Sequence, residues 1–203
     1  MQVDYPPILE QLAGYFSRLP GIGRRTARRL AVAALEWREE DLQAFGATLQ
    51  QLRQRVKPCP CCGSYTEGEV CAICASPRRN HHQVCVVEQA SQIAVFESAG
   101  CYNGVYHVLG GRIAPLSGVG PEKLRISELV QRVESGGVEE LIVATSPDVA
   151  GEATANFIAS LLRGYPVEIT RIASGLPAGA DVGYADAATL SLALNGRHRM
   201  ESE

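Results

Sequence analysis

Residues 59–74 read C-P-C-C-G-S-Y-T-E-G-E-V-C-A-I-C and hold two C-x-x-C pairs, Cys59/Cys62 and Cys71/Cys74, separated by a short polar loop. Four thiolates at this spacing suit one tetrahedral zinc ion, each sulfur at about 2.3 Å from the metal. A disulfide framework fits badly, because no signal segment precedes the cysteines and the chain is long enough to bury a core without staples. A redox pair would need only one C-x-x-C. The two pairs therefore predict a structural zinc knuckle with no open coordination position. Cys61 sits inside the first pair and competes as a ligand, although Cys59 and Cys62 have the better spacing; His81 and His82 read as surface residues, and Cys85 and Cys101 read as core thiols in apolar surroundings.

The knuckle divides two unlike regions. Residues 1–57 carry nine basic and six acidic side chains, residues 58–80 two of each, and residues 81–203 eight basic against fourteen acidic. The overall charge of −3 thus hides a basic end on an acidic body, which predicts that one end meets a polyanion. Of the 203 residues 46% are hydrophobic and 20% charged, the composition of a globular protein, and no apolar run reaches the roughly 20 residues of a membrane span. Seven cysteines without a targeting segment predict a reducing cytoplasm.

Before the knuckle the apolar spacing predicts three helices, from Pro7 to about Ser17, from Arg24 onward, and over about 41–56. The last carries Leu42, Phe45, Leu49 and Leu52 on one face. Between the first two lies Leu19-Pro20-Gly21-Ile22-Gly23, the hydrophobic-Gly-hydrophobic-Gly turn of a helix-hairpin-helix. Gly21 and Gly23 let a phosphate approach the backbone, and the open amides of the following first turn can bond it. Arg25 and Arg29 share one face of the second helix, and Arg24 and Arg28 share the adjacent one. Such contacts grip a nucleic-acid backbone without reading bases. The bland alternative is a tight αα-turn followed by a solvated face. Four arginines in six residues exceed what solubility requires.

Beyond the knuckle, strand and helix patterns alternate, with a strand ending at Glu88 and another entering Ala144-Thr145-Ser146-Pro147-Asp148-Val149-Ala150-Gly151-Glu152. This predicts an α/β fold with a mostly parallel, doubly wound sheet, followed by a last helix capped by Asp186. In such sheets functional groups collect beyond the carboxyl ends of the strands. Glu88, Asp148 and Glu152 are expected there, either as a magnesium site or as ordinary helix caps and solvated carboxylates.

Taken together, L-P-G-I-G (19–23), the four-cysteine knuckle, C-V-V-E (85–88), Y-H-V-L-G-G-R-I-A-P-L-S-G-V-G-P (106–121), A-T-S-P-D-V-A-G-E-A-T-A (144–155) and R-I-A-S-G-L-P-A-G-A-D (171–181) resemble the bacterial RecR family of recombination mediators over essentially the whole chain. The resemblance implies a helix-hairpin-helix region (1–57), a C4 zinc finger (58–80), a Toprim domain (81–175) and a C-terminal oligomerisation segment (176–203). It also implies a ring-shaped homotetramer that clamps single- or double-stranded DNA, works in the cytoplasm at the nucleoid, and acts with RecO, and in many bacteria RecF. Together they load RecA onto single-stranded gaps coated with SSB. By position, Arg25 and Arg29 match the family's DNA-binding positions, and Cys59, Cys62, Cys71 and Cys74 its zinc ligands. Glu88 and 146–152 match the Toprim acidic cluster, tied in this family more to RecO contact than to cleavage.

Three departures bear on mechanism. Arg24 stands where many relatives have proline. Catalytic Toprim enzymes read D-P-D-x-x-G-E where this chain has Ser146 first, and a hydroxyl is no substitute for a carboxylate in holding magnesium. Val182-Gly183 replaces the usual Leu-Glu of a Walker B-like stretch, and no G-x-x-x-x-G-K-[ST] is present, so independent ATP hydrolysis is not expected. The expectation is a non-enzymatic DNA-binding mediator. Its rivals are a metal-dependent Toprim nuclease or topoisomerase using Glu88, Asp148 and Glu152, and an assembly hub that leaves DNA to its partner.

Overall fold

The computed structural model describes residues 5–197, so the ends of the expected first and last regions, 1–4 and 198–203, lie outside the described residues. The chain forms two compact units that divide between Arg55 and Val56.

The first unit is helical: α1 (Pro7–Phe16), α2 (Arg24–Ala33) and α3 (Glu39–Arg55). Pro7 opens α1 at a position whose N–H would have no partner in any case. Leu9 and Ala13 of α1 close on Ala27 and Ala31 of α2, with Leu12, Phe16, Ile22 and Val32 around them. The alanines at i and i+4 let the two helices approach closely, and an ion pair from Arg28 to Glu10 at 3.0 Å ties them at the edge. Helix α3 differs from the other two. Its expected apolar stripe exists in sequence, but none of its residues is buried, and Leu49 and Leu52 are each more than half exposed.

The second unit begins with the knuckle, a two-stranded antiparallel ribbon of β1 (Lys57–Pro58) and β2 (Tyr65–Thr66) followed by the single turn α4 (Ala72–Ala75). After it come β3 (Asn80–Val87), α5 (Ala90–Ala99), β4 (Gly104–Val108), α6 (Ile126–Glu134), β5 (Glu140–Val143), α7 (Val149–Leu161), β6 (Glu168–Arg171) and α8 (Ala187–Asn195). The sheet is wholly parallel, in the order β4-β3-β5-β6. Strand alternation sends Val84 and Val86 to one core with Leu129, Leu141 and Ile158, and Cys85 and Val87 to the other with Ile93 and Tyr106. Helices therefore cover both faces, as a parallel sheet requires. The chain leaves β3 for β4 on one side and returns to β5 on the other, so the switch point lies beyond the carboxyl ends of β3 and β5.

Two expectations are refined here. Cys85 is buried, with its thiol pushed up to about 12 by burial, but Cys101 is exposed just past α5 and is no core residue. Asp186 caps α8 as expected, accepting from the Thr189 N–H at 2.9 Å. Among the described residues, no helix is long and apolar enough to cross a membrane.

Candidate metal centre and nucleic-acid interface

In the knuckle, the Sγ atoms of Cys59, Cys62, Cys71 and Cys74 all lie within 4.8 Å of one another. Tetrahedral zinc–thiolate geometry sets neighbouring sulfurs about 3.8 Å apart, and Cys62 and Cys71 stand at 3.6 Å. Backbone amides already point at the sulfurs: Ser64 to Cys62 and Cys71 to Cys59, both at 3.4 Å, and Cys74 to Cys71 at 3.5 Å. These donors favour thiolates, as the outer shell of a metal site does. The thiol hydrogen bond from Cys74 pulls Cys62 down to about 5, while Cys74, the partner in that bond, is held well above the usual thiol range. Cys61 lies outside the four-sulfur cluster and is exposed, with desolvation raising its thiol.

The knuckle is fastened to the sheet. Val108 of β4 donates to the Cys62 carbonyl at 2.7 Å, and Arg125, just before α6, donates to Pro60 at 3.4 Å with its side chain against Gly63. His107 completes the joint: its Nε2–H donates to the Arg125 carbonyl at 2.7 Å. The ring is fully buried, its Nδ1 has no partner among the described residues, and burial lowers it to about 4, so it is neutral. Neither His107 nor Arg125 stands out in the sequence. Lying one residue from the end of an all-buried strand, His107 carries no signal of its role beyond being polar in an apolar run.

The carboxylates at the strand ends are arranged differently. Glu88 directly follows β3, is buried, and accepts the Ser146 N–H at 2.7 Å. Asp148 caps α7 by accepting the Gly151 N–H at 2.9 Å, the main cause that lowers its carboxyl, and it also pairs with Arg112. Glu152 pairs with Arg171 at 2.5 Å, and Arg171 in turn donates to Thr145 at 2.8 Å. Gly151 is needed here because a Cβ would overlap the Ser146 carbonyl. Among the described residues only the four cysteines form a cluster with metal-ligand spacing. The structure brings the three carboxylates to one edge but gives each its own partner, and it does not converge them on one magnesium position. The arginines that divide them, Arg112 in the loop after β4 and Arg171 at the end of β6, were not singled out by sequence, since nothing in either position announces which carboxylate it will meet.

In the helical unit, Leu19–Ile22 forms a turn with Pro20 second, Gly21 third at φ +78°, and the Ile22 N–H bonded to the Leu19 carbonyl at 3.1 Å, which is a type II turn. Gly23 takes an ordinary φ of −76° and caps α2 without a side chain, with open space where a Cβ would stand. The first intrahelical bond is Ala27 N–H to the Gly23 carbonyl at 2.9 Å, leaving the amides of Arg24, Arg25 and Thr26 without partners among the described residues. Arg24, Arg25 and Arg29 are exposed and make no ion pair among the described residues, whereas Arg28 is held by Glu10. A basic helix start, an approach cleared by glycine, a four-cysteine centre and a Toprim-type sheet define a class of modular nucleic-acid-associated protein.

Comparison with known families finds four matching segments. Residues 9–53 match the helix-hairpin-helix of RecR, 56–76 its four-cysteine zinc finger domain, 82–173 a Toprim domain and 175–198 the RecR C-terminal region. The recombination protein RecR of Rubrobacter xylanophilus is 48% identical over 196 residues, covering 97% of this chain and 98% of that one. Those of Acidobacterium capsulatum and Treponema denticola are 49% and 47% identical, each over 90% of this chain and over 92% and 93% of their own. The chain belongs to the RecR family, and its four cysteines form the family's structural zinc centre.

Proposed function

We propose that this protein is a non-enzymatic DNA-binding mediator of recombinational repair, acting with RecO, and with RecF where present, to load RecA on SSB-coated single-stranded gaps. The observation that carries the DNA contact is the open start of α2, where three amides without partners among the described residues stand behind a glycine cap beside the exposed Arg24, Arg25 and Arg29. The dipole and the guanidinium groups act on the same phosphate, and nothing at this turn is shaped to read base edges. Gly21 and Gly23 shape the approach, and Arg25 and Arg29 supply the charge. Few contacts per chain give weak binding, which a closed homotetramer multiplies. The uncovered stripe of Leu49 and Leu52 on α3 supports self-association, since apolar surface of this kind is otherwise left in water.

The carboxyl edge, with Glu88, Asp148 and Glu152, is assigned to partner contact. The pairing of Asp148 with Arg112 and of Glu152 with Arg171, and the amide bond to Glu88, support a docking surface over a cleavage centre. The test places labelled single-stranded and gapped DNA with the protein in magnesium or manganese, and follows anisotropy and strand integrity together. Binding without cleavage, with affinity lost in Arg25→Glu and Arg29→Glu while the oligomer persists, is the expected result. Nicking by the wild-type protein that is lost with Glu88→Ala would overturn the reading in favour of an enzyme.

A further inference from the structure

Helix α1 spends its apolar stripe on Leu9, Leu12, Ala13 and Phe16, all packed toward α2. Tyr15 lies off that stripe. It is 53% exposed, belongs to no packed cluster, and its phenol has no hydrogen-bond partner among the described residues. The side chain is nevertheless not loose. The Arg18 guanidinium lies over one face of the ring, 5.2 Å from its centroid, and the Arg18 N–H bonds the Tyr15 carbonyl at 3.2 Å. Tyr15 therefore stands on the last turn of α1 with Arg18 just beyond its cap, and Leu19, itself more than half exposed, follows directly and opens the type II turn that leads to the amides of α2.

We infer that Tyr15 and Arg18 form a platform on which a base of single-stranded DNA stacks while its backbone engages the start of α2. This rests on the DNA-binding reading above. One ring face is taken by the guanidinium, and about half of the residue remains exposed. Arg18 makes no ion pair among the described residues, so its charge is available to a neighbouring phosphate. Aromatic rings with arginine beside a basic groove are how proteins hold single strands without reading sequence, because every base has a π-face. In a duplex those faces are hidden in the stack. The amides and arginines of α2 would grip either form of DNA, and Tyr15 adds a preference for the unpaired one.

The experiment compares a labelled oligothymidine strand with an abasic strand of equal length by fluorescence anisotropy. The wild-type protein is expected to bind the thymidine strand about five- to a hundredfold more tightly. Tyr15→Ala should erase that preference while leaving abasic affinity unchanged, and Tyr15→Phe should keep it. Equal binding of both strands by the wild type, or equal loss on both with Tyr15→Ala, overturns the platform and leaves phosphate binding at α2 standing. If the wild type binds neither strand, or if Arg25→Glu changes neither affinity, the DNA-binding reading falls and the platform falls with it.

Discussion

The knuckle and the carboxyl edge of the sheet both gather anionic side chains at the ends of short elements, yet they end in opposite states. At the knuckle, four sulfurs converge within 4.8 Å, and the nearby donors are backbone amides that leave the sulfurs free to bind a metal. At the carboxyl edge, three carboxylates are separated by partners from their own chain, two arginines and the Ser146 amide. What differs is the supply of internal cations. The amides at the knuckle carry no net charge, so zinc must balance the thiolates. The edge balances two of its three carboxylates with its own arginines.

The largest effect that would break this contrast lies at the knuckle. The wild-type protein should carry one zinc per chain, and Cys62→Ser should lose it. Losing a structural zinc ligand should cost upwards of about 4 kcal/mol, a fall in Tm of roughly 10–15 °C. Glu152→Gln should keep full zinc content. Metal analysis with thermal melts decides, and zinc retained in Cys62→Ser at an unchanged Tm would remove the knuckle from the comparison.

Next in size is His107, which joins sheet to knuckle. Its ring is lowered from 6.5 to about 4 by burial, so the unfolded chain takes up a proton first as pH falls. The stability from its neutral form is complete above about pH 6.5 and is lost as pH drops toward 4, a change of about 3 kcal/mol. Acid also protonates the zinc thiolates, so the reading is the difference between wild type and His107→Gln. The variant should show a shallower loss over pH 6.5–4 in denaturant melts. Parallel curves would mean that the ring is not held neutral.

The order of these effects also separates what could be read from sequence from what could not. The cysteine spacing fixes its ligands because both pairs are local turns, and L-P-G-I-G fixes the hairpin because Pro20 and Gly21 dictate a turn type. The parallel sheet was legible from alternating apolar runs. The fate of Glu88, Asp148 and Glu152 was not. It depends on Arg112 and Arg171, which are 36 and 19 residues distant from the carboxylates they meet, and on an amide exposed only by how β5 ends. The bare face of α3 was invisible for the same reason: a stripe of leucines says that a helix wants a partner, and nothing about whether its own chain supplies one.

The acidic edge offers a smaller effect that sharpens the contrast. Glu88→Ala should leave the half-buried Ser146 N–H unpaired at a cost of about 1–2 kcal/mol, read as a lower denaturation midpoint. Glu88→Gln keeps an acceptor and should lie close to wild type. A carboxylate held for a metal would behave otherwise, because glutamine is a poor substitute for it. If Glu88→Gln proved as damaging as Glu88→Ala, charge and not acceptance would be the requirement at this position.

The smallest expected effect is the response to magnesium. Asp148 caps α7 and Glu152 faces Arg171, so a divalent ion would have to displace a hydrogen bond or an ion pair before gaining a ligand. A ligand that binds only the folded state raises Tm in proportion to RT ln(1 + [L]/Kd), so a weak site shows as a small shift or none. Millimolar magnesium should therefore leave the wild-type melting curve in place. Asp148→Ala should lower Tm by less than Glu88→Ala does, since the cap it removes is exposed, and Asp148→Asn should restore it, because an amide oxygen also accepts from Gly151. A magnesium-dependent rise in wild-type Tm that disappears in Glu152→Gln would show that the arginines yield to a metal. The edge would then be a second metal centre, and the two regions would differ in affinity alone.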